Sequence, residues 1–446
     1  MRVTIPKLLG LGFSVMLGSY VFVVAPQIPA KIVRHLAHAI GGDQAGASVA
    51  RSAPLFPPPG KKFIGIMTNG GAYDFTQLDR FTRVVGHQPS VYEFTQGWAV
   101  NQFNRAAIDK VAKRGMLPLI SWEPWNYRRQ SRIASLSGDQ PAYSLSHILN
   151  GDYDGYIRSW AEGVKSLPYT IAIRFAHEMN GNWYPWGVFT NGNSVGEYVR
   201  AWRHVHDIFT RISAKNVIWV WSPNVIWNTS TNLAELYPGN SYVDWIGLSG
   251  YYGTPGTLRY KSFDATFVQT IAELRTFTSK PLVITETGAT NVSGLMARWI
   301  TQMFQQLPAH TDIIGVIWFE AFKVVDWQVA NYPAAAAAFR AGIGSRLYRI
   351  EWRPGMRPLL TVPLRGSGAG DGRPTPSPSA APSSAATSPP TAATTSPAKP
   401  TEPVPTASSS PIERRPSTSP TPFPTAPTTP TPTPVTTPTH HHRTLS

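Results

Sequence analysis

"IAIRFAHE" occupies residues 171–178. It is a short apolar run that ends abruptly in a histidine and an acid. Seven other runs share its length and character: "KFIGIM" (62–67), "SVYEF" (90–94), "LPLISW" (117–122), "NVIWVWSPN" (216–224), "DWIGLSGYY" (244–252), "PLVITETG" (281–288) and "GVIWFEAF" (315–322). Between them lie longer amphipathic stretches with helical spacing, among them "FNRAAIDKVAKRG" (103–115), "VGEYVRAWRHVHDIFTRI" (195–212), "FDATFVQTIAELRTF" (263–277) and "SGLMARWITQMFQQL" (293–307). Strand-like runs alternating with helices over residues 60–360 predict an α/β fold, a parallel (β/α)8 TIM barrel. A doubly wound open sheet is the alternative, but no glycine-rich nucleotide loop follows the first strand.

The flanks differ from this middle. Residues 1–30 read as an export segment, a signal peptide or a signal anchor, with Arg2 and Lys7 ahead of an apolar run from Leu8 to Ala25. Residues 31–59 read as a linker. From residue 366 to 446 the chain is mostly Pro, Thr, Ser and Ala and holds nearly half of the 42 prolines. Such a segment buries too little apolar surface to offset its ordering entropy, so an extended, disordered tail is expected.

There is no cysteine, which excludes disulfides, thiolate metal sites and a cysteine nucleophile. The net charge of +15 comes from scattered basic residues without a compact run. A solvated basic surface is the reading, with no nucleic-acid partner. "NGDYDG" (150–155) imitates a calcium loop, but its twelfth position is Ala161, so Asp152 or Asp154 is read as a helix N-cap instead.

A barrel of this type keeps its active site at the C-terminal ends of the strands. The polar residues there are Glu93, Glu123, His177, Glu178, Asn224, Tyr251, Tyr252, Glu286 and Glu320. Glu178 and Glu286 end the fourth and seventh runs, which face each other across a barrel mouth. The stretch after the first acid, "MNGNWYPWG" (179–187), brings Asn180 and several aromatic faces. An acid, amide donors and flat rings together suit a sugar. Arg174 is either a cation serving this site or half of an interior ion pair. Glu123 either binds sugar hydroxyls or makes a loop salt bridge. Trp122 and Trp125 are either stacking platforms or core.

"RFAHEMNG.W..WG" followed by "ITETG" resembles glycoside hydrolase family 26, over essentially the whole of residues 60–360. The resemblance implies a β-mannanase-like barrel glycosidase with Glu178 as general acid/base and Glu286 as nucleophile. It further implies that His177 contacts the sugar or supports the acid, that Tyr251 hydrogen-bonds the nucleophile, that Trp183 lies at the sugar-binding edge, and that Trp318 is the platform under the reacting sugar. The expected function is a retaining endo-β-1,4-glycanase acting on β-mannan, with mixed-linkage β-glucan as the competing substrate. A non-catalytic carbohydrate-binding barrel of the cell envelope is the rival of another class. The mechanism calls for no cofactor and no metal. The expected partner is a polysaccharide, met by an exported monomer tied to membrane or wall only through its N-terminus or tail.

Overall fold

The computed structural model describes residues 53–130, 137–226, 232–254, 259–323 and 325–363. The export segment, most of the linker and the proline-rich tail lie outside the described residues.

Eight parallel strands close into a barrel in chain order: β1 (Phe63–Thr68), β2 (Val91–Gly97), β3 (Leu117–Glu123), β4 (Ile171–Phe175), β5 (Val217–Trp221), β6 (Trp245–Tyr252), β7 (Leu282–Ala289) and β8 (Ile313–Glu320). Closure is made by β8 on β1, in register from Phe63 opposite Gly315 to Thr68 opposite Glu320. The helices α1 (Thr76–Val85), α2 (Arg105–Lys113), α3 (Leu145–Leu149), α4 (Asp154–Lys165), α5 (Val195–Ile212), α6 (Phe263–Leu274), α7 (Met296–Gln306) and α8 (Pro333–Ile343) connect them. Between β5 and β6 the described chain carries a 3-10 turn, Leu233–Leu236, where the pattern would place a helix.

The helices bury one stripe each against the barrel. In α5 this stripe is Tyr198, Ala201, Trp202, Val205, Ile208 and Phe209, at the spacing of one helical face. Ser194 and Glu197 close its N-terminus as a reciprocal capping box. Asp154 does not cap α4: Tyr153 is its N-cap, and the Asp154 carboxylate pairs with Arg158 at 2.9 Å and His204 at 2.7 Å. Asp152 instead meets His147.

The linker reading stops short at its far end. Leu55–Phe56 pairs in parallel with Arg357–Pro358, and Phe56 stacks on Phe63 at 5.6 Å. Residues just before 59 therefore belong to the packed domain, because an aromatic at position 56 finds the open floor of the barrel.

Candidate active site

β4 ends at Phe175, and the chain then takes left-handed backbone at Ala176 (φ 42°) and Glu178 (φ 54°). Both side chains beyond the strand are buried at the barrel mouth. Glu178 accepts a hydrogen bond from Trp183 Nε1 on Oε2 at 2.7 Å. Burial raises its pKa first, and the charge of Glu286 raises it further, against the pull of Arg174 and hydrogen bonds from Ser249 and Trp183.

Glu286 lies on β7 opposite Ser249 of β6, beside a register shift between Gly247 and Ser249. Its Oε2 accepts from Arg174 Nη1 at 2.8 Å, and its Oε1 accepts from the Tyr251 hydroxyl. Burial pushes its pKa up, but Arg174, Tyr251 and Lys323 together outweigh burial and hold it below the usual carboxylate range. The two acids are thus held in opposite states: one favours its proton, the other its charge.

Arg174 fills both roles left open by its sequence position. It is fully buried inside the barrel, donating to Glu93 Oε1 at 3.1 Å, Ser222 Oγ at 3.0 Å and Ser121 Oγ at 3.2 Å, besides Ser249 and Glu286. Glu93 shares it: burial drives the Glu93 carboxyl up to about 7 against the pull of Arg174, and its Oε2 has no partner among the described residues. Arg174 therefore bridges Glu93 and Glu286.

His177 lines the cleft beside the acids. Its Nε2 is 3.3 Å from the Tyr184 hydroxyl and 3.9 Å from Glu123 Oε1, while its Nδ1 is buried without a described partner. Burial, then Arg174 and Lys323, hold it well below the usual histidine range, so the ring is neutral. Glu123 accepts from Trp125 Nε1 at 2.7 Å and makes no Lys or Arg salt bridge among the described residues. Burial raises it to about 8. The cleft above these groups encloses about 360 Å³.

Four expectations need correction. Trp318 is not under the reacting sugar; it is fully buried between barrel and helices, against Trp299 at 6.0 Å and Phe339 at 5.7 Å. Its neighbour Phe319 faces the mouth instead and meets Tyr251 edge-on at 6.0 Å. Trp122 is turned outward too, into Trp160 of α4 and Phe209 of α5. Asn180 offers nothing to a sugar: its amide closes a two-way bridge with Asn224, donating to the carbonyl and accepting from the N–H, both at 2.9 Å. It supports the site by tying the loop of the acid to the end of β5. Glu320 likewise leaves the mouth, accepting from the N–H groups of Val329 and Ala330.

Sequence reading missed Trp327, Ser249 and Lys323. Trp327 is buried and packs at 4.7 Å on Tyr251, the tyrosine that donates to Glu286. It sits in a loop with no periodic signal. Tyr184, within the quoted aromatic stretch and expected to help bury the acid, lines the cleft beside His177.

The model of glycosyl hydrolase family 26 matches residues 62–312. The chain belongs to glycosyl hydrolase family 26. Endoglucanase H of Acetivibrio thermocellus is 31% identical over 277 residues, 60% of this chain and 29% of that one. A mannan endo-1,4-β-mannosidase of Bacillus subtilis is 24% identical over 291 residues, 60% of this chain and 75% of that one. The chain thus spans under a third of the length of the first relative and three quarters of the second. Among solved structures, a family 26 β-mannanase from Bacteroides ovatus aligns with 17% identity and a TM-score of 0.49, over 70% of this chain and 95% of that one.

Proposed function

We propose that this family 26 chain is a retaining endo-β-glycanase that cleaves internal β-1,4 bonds, with β-mannan as its substrate. The observation that carries the reading is the unequal support of the two acids: Glu286 holds two donors, Arg174 at 2.8 Å and the Tyr251 hydroxyl, which favour its charge, while Glu178 is buried with Trp183 Nε1 at 2.7 Å, and burial favours its proton. Hydrolysis by a carboxylate pair needs one carboxyl that holds a proton and one that does not, and retention further needs the ionised one close enough to attack the sugar itself. Glu286 attacks the anomeric carbon while Glu178 gives its proton to the departing glycosidic oxygen. The bond to that oxygen breaks and a glycosyl ester on Glu286 forms. The ester carries no charge, so Glu178, now ionised, loses the negative neighbour that raised its pKa. Its lowered proton affinity suits its next task, taking a proton from water as that water attacks the same carbon and releases Glu286. A neutral His177 beside the pair adds no competing cation.

A mixed-linkage β-glucan is the second reading, favoured by one observation: the endoglucanase relative is more identical than the mannosidase. The test is incubation of the purified protein with galactomannan, glucomannan, barley β-glucan and xylan, with product analysis and the anomer followed by NMR. Mannan cleavage with the β-anomer appearing first is the expected result. Glucan as the better substrate moves the assignment to the second reading. Binding without turnover on every polymer, unchanged by Glu286→Ala, overturns the enzyme reading in favour of a carbohydrate-binding barrel. Export, read from residues 1–30, belongs to the same proposal.

A further inference from the structure

The cleft is asymmetric about the two acids. Glu286 lines it and Glu178 does not; its walls come chiefly from the segments that follow β1, β2, β3 and β8. The acid gives its proton to the leaving group, so the leaving group lies on the acid's side. The enclosed cleft then holds the part of the chain that stays on Glu286. This step rests on the function proposed above.

Two large aromatic rings stand exposed beside that cleft, one in its lining and one on the segment after β8. Tyr73, 54% exposed, follows β1, and Phe322, 57% exposed, follows β8. These strands are neighbours across the barrel closure, with Thr68 opposite Glu320. Tyr73 lines the cleft, as do Ala321 and Lys323 on either side of Phe322. Their backbones are fixed. The Asn69 side chain clamps Phe322 from both directions, donating to its carbonyl at 3.0 Å and accepting from its N–H at 2.9 Å. Phe322 also bridges Asp326, and Tyr73 closes a tight turn on the carbonyl of Gly70. Neither ring makes an aromatic contact with a described residue, and the Tyr73 hydroxyl has no described hydrogen-bond partner.

Single exposed apolar residues are ordinary on a protein surface. Two rings on hydrogen-bonded backbone, beside a cleft of mixed polar and apolar lining that is proposed to take a sugar chain, are a different arrangement. A pyranose offers one flat face of C–H groups and a rim of hydroxyls. A ring face held in water matches the first, and the amide-rich rim here (Asn69, Gln77, Gln96) matches the second. We propose that Tyr73 and Phe322 form an outer subsite that stacks on sugars of the retained, non-leaving part of the β-linked chain, so that long substrates gain binding that short ones do not.

The test compares kcat/KM for β-linked manno- and gluco-oligosaccharides of two to six sugars in wild type, Phe322→Ala, Tyr73→Ala and Phe322→Trp. In parallel, calorimetry measures binding of the six-sugar chains to the Glu286→Gln background with and without Phe322→Ala. The expected result is a loss for the six-sugar substrate about tenfold greater than for the disaccharide, the scale of one uncovered ring face, with Phe322→Trp restoring it. A loss of equal size at every length, or none, in a protein that hydrolyses these chains overturns the subsite and leaves the proposed function standing. Absence of all hydrolysis overturns the proposed function; the subsite is then decided by calorimetry, where binding unaffected by Phe322→Ala, or absent altogether, overturns it. Because both rings are exposed, the melting temperature of each variant should match wild type, which separates a binding loss from a folding loss.

Discussion

Replacing Tyr251 with phenylalanine tests the assignment of Glu286 most cleanly. Two donors hold the Glu286 carboxylate: Arg174 at 2.8 Å on Oε2 and the Tyr251 hydroxyl on Oε1. The ring of Tyr251 is held separately, by Trp327 at 4.7 Å and Phe319 at 6.0 Å, so phenylalanine keeps the packing and removes only the donor. A hydrogen bond to a charged group is worth about 1.5–3 kcal/mol. At about 1.4 kcal/mol per pKa unit, losing it raises the Glu286 pKa by roughly one to two units. The sign follows from the required state. In the proposed mechanism Glu286 works ionised, and its pKa is depressed, so kcat/KM should fall on the acid side as pH drops through that value. Tyr251→Phe therefore moves the acid limb to higher pH. The alkaline limb belongs to Glu178 and should stay, since the hydroxyl removed is neutral. The assay is kcat/KM against pH on a soluble oligosaccharide, with the melting temperature as a control. An acid limb that stays in place while the protein remains folded would refute the view that Glu286 sets it.

The remaining predictions concern the acid, the core and pH stability. Trp183→Phe removes the 2.7 Å bond that steadies ionised Glu178; the alkaline limb should move to higher pH by about one unit, and an unmoved limb counts against Glu178 as its source. Trp122→Ala should cost about 3–5 kcal/mol by opening a cavity among Trp98, Trp160 and Phe175, read as a lower denaturation midpoint, with the KM of the folded fraction unaltered; a stable variant with a raised KM would return Trp122 to the substrate. Burial lifts Glu93 and Glu320 to about 7 and Glu123 to about 8 from 4.5. Between those values the folded state keeps protons that the unfolded chain has lost, so this stability is full below 4.5 and declines as pH rises through 7 to 8, by up to about 1.4 kcal/mol per pH unit per group. The melting temperature should fall across that window, and a flat profile would mean these carboxyls stay ionised in the fold.

The barrel was legible because strands buried on both faces read as continuous apolar runs, and each of the eight runs overlaps one strand. The same property hid which way the side chains face. Every residue of Ile313–Glu320 is buried, so no alternation of polar and apolar marks the inner face. Trp318 and Glu320 share one parity and Phe319 has the other. An acid at the end of this strand suggested that the even residues look into the mouth. The backbone of the turn at Val329 offered that acid two N–H groups outside the barrel instead. In β3 the outcome is the reverse: Glu123 faces the cleft, and Trp122 must therefore face the helices. One inward residue per strand decides the whole strand, and the sequence does not label it.

The acid itself shows where local preference gives way. Strand pairing ends at Phe175, three residues before Glu178, and the chain between them turns through two left-handed residues that are not glycine. Each such residue costs of order 1 kcal/mol, and glycine at either position would remove that cost. What fixes the turn is a set of partners drawn from distant parts of the chain. Ala176 N–H donates to the Trp122 carbonyl at 3.2 Å, and its carbonyl accepts from the Tyr198 hydroxyl at 3.1 Å. The His177 carbonyl accepts from Trp186 Nε1 at 2.6 Å. Glu178 N–H donates to the Ser222 carbonyl at 2.7 Å, and its own carbonyl accepts from Gly181 N–H at 2.9 Å. These partners belong to β3, α5, the aromatic loop and the segment after β5, so the turn is fixed by the elements packed around β4 and not by its own sequence. Glycine at 178 would ease the backbone and delete the carboxyl. The strained conformation therefore persists at the residue proposed as the acid, and the aromatic residues after it, read at first as sugar platforms, serve in part to hold it there.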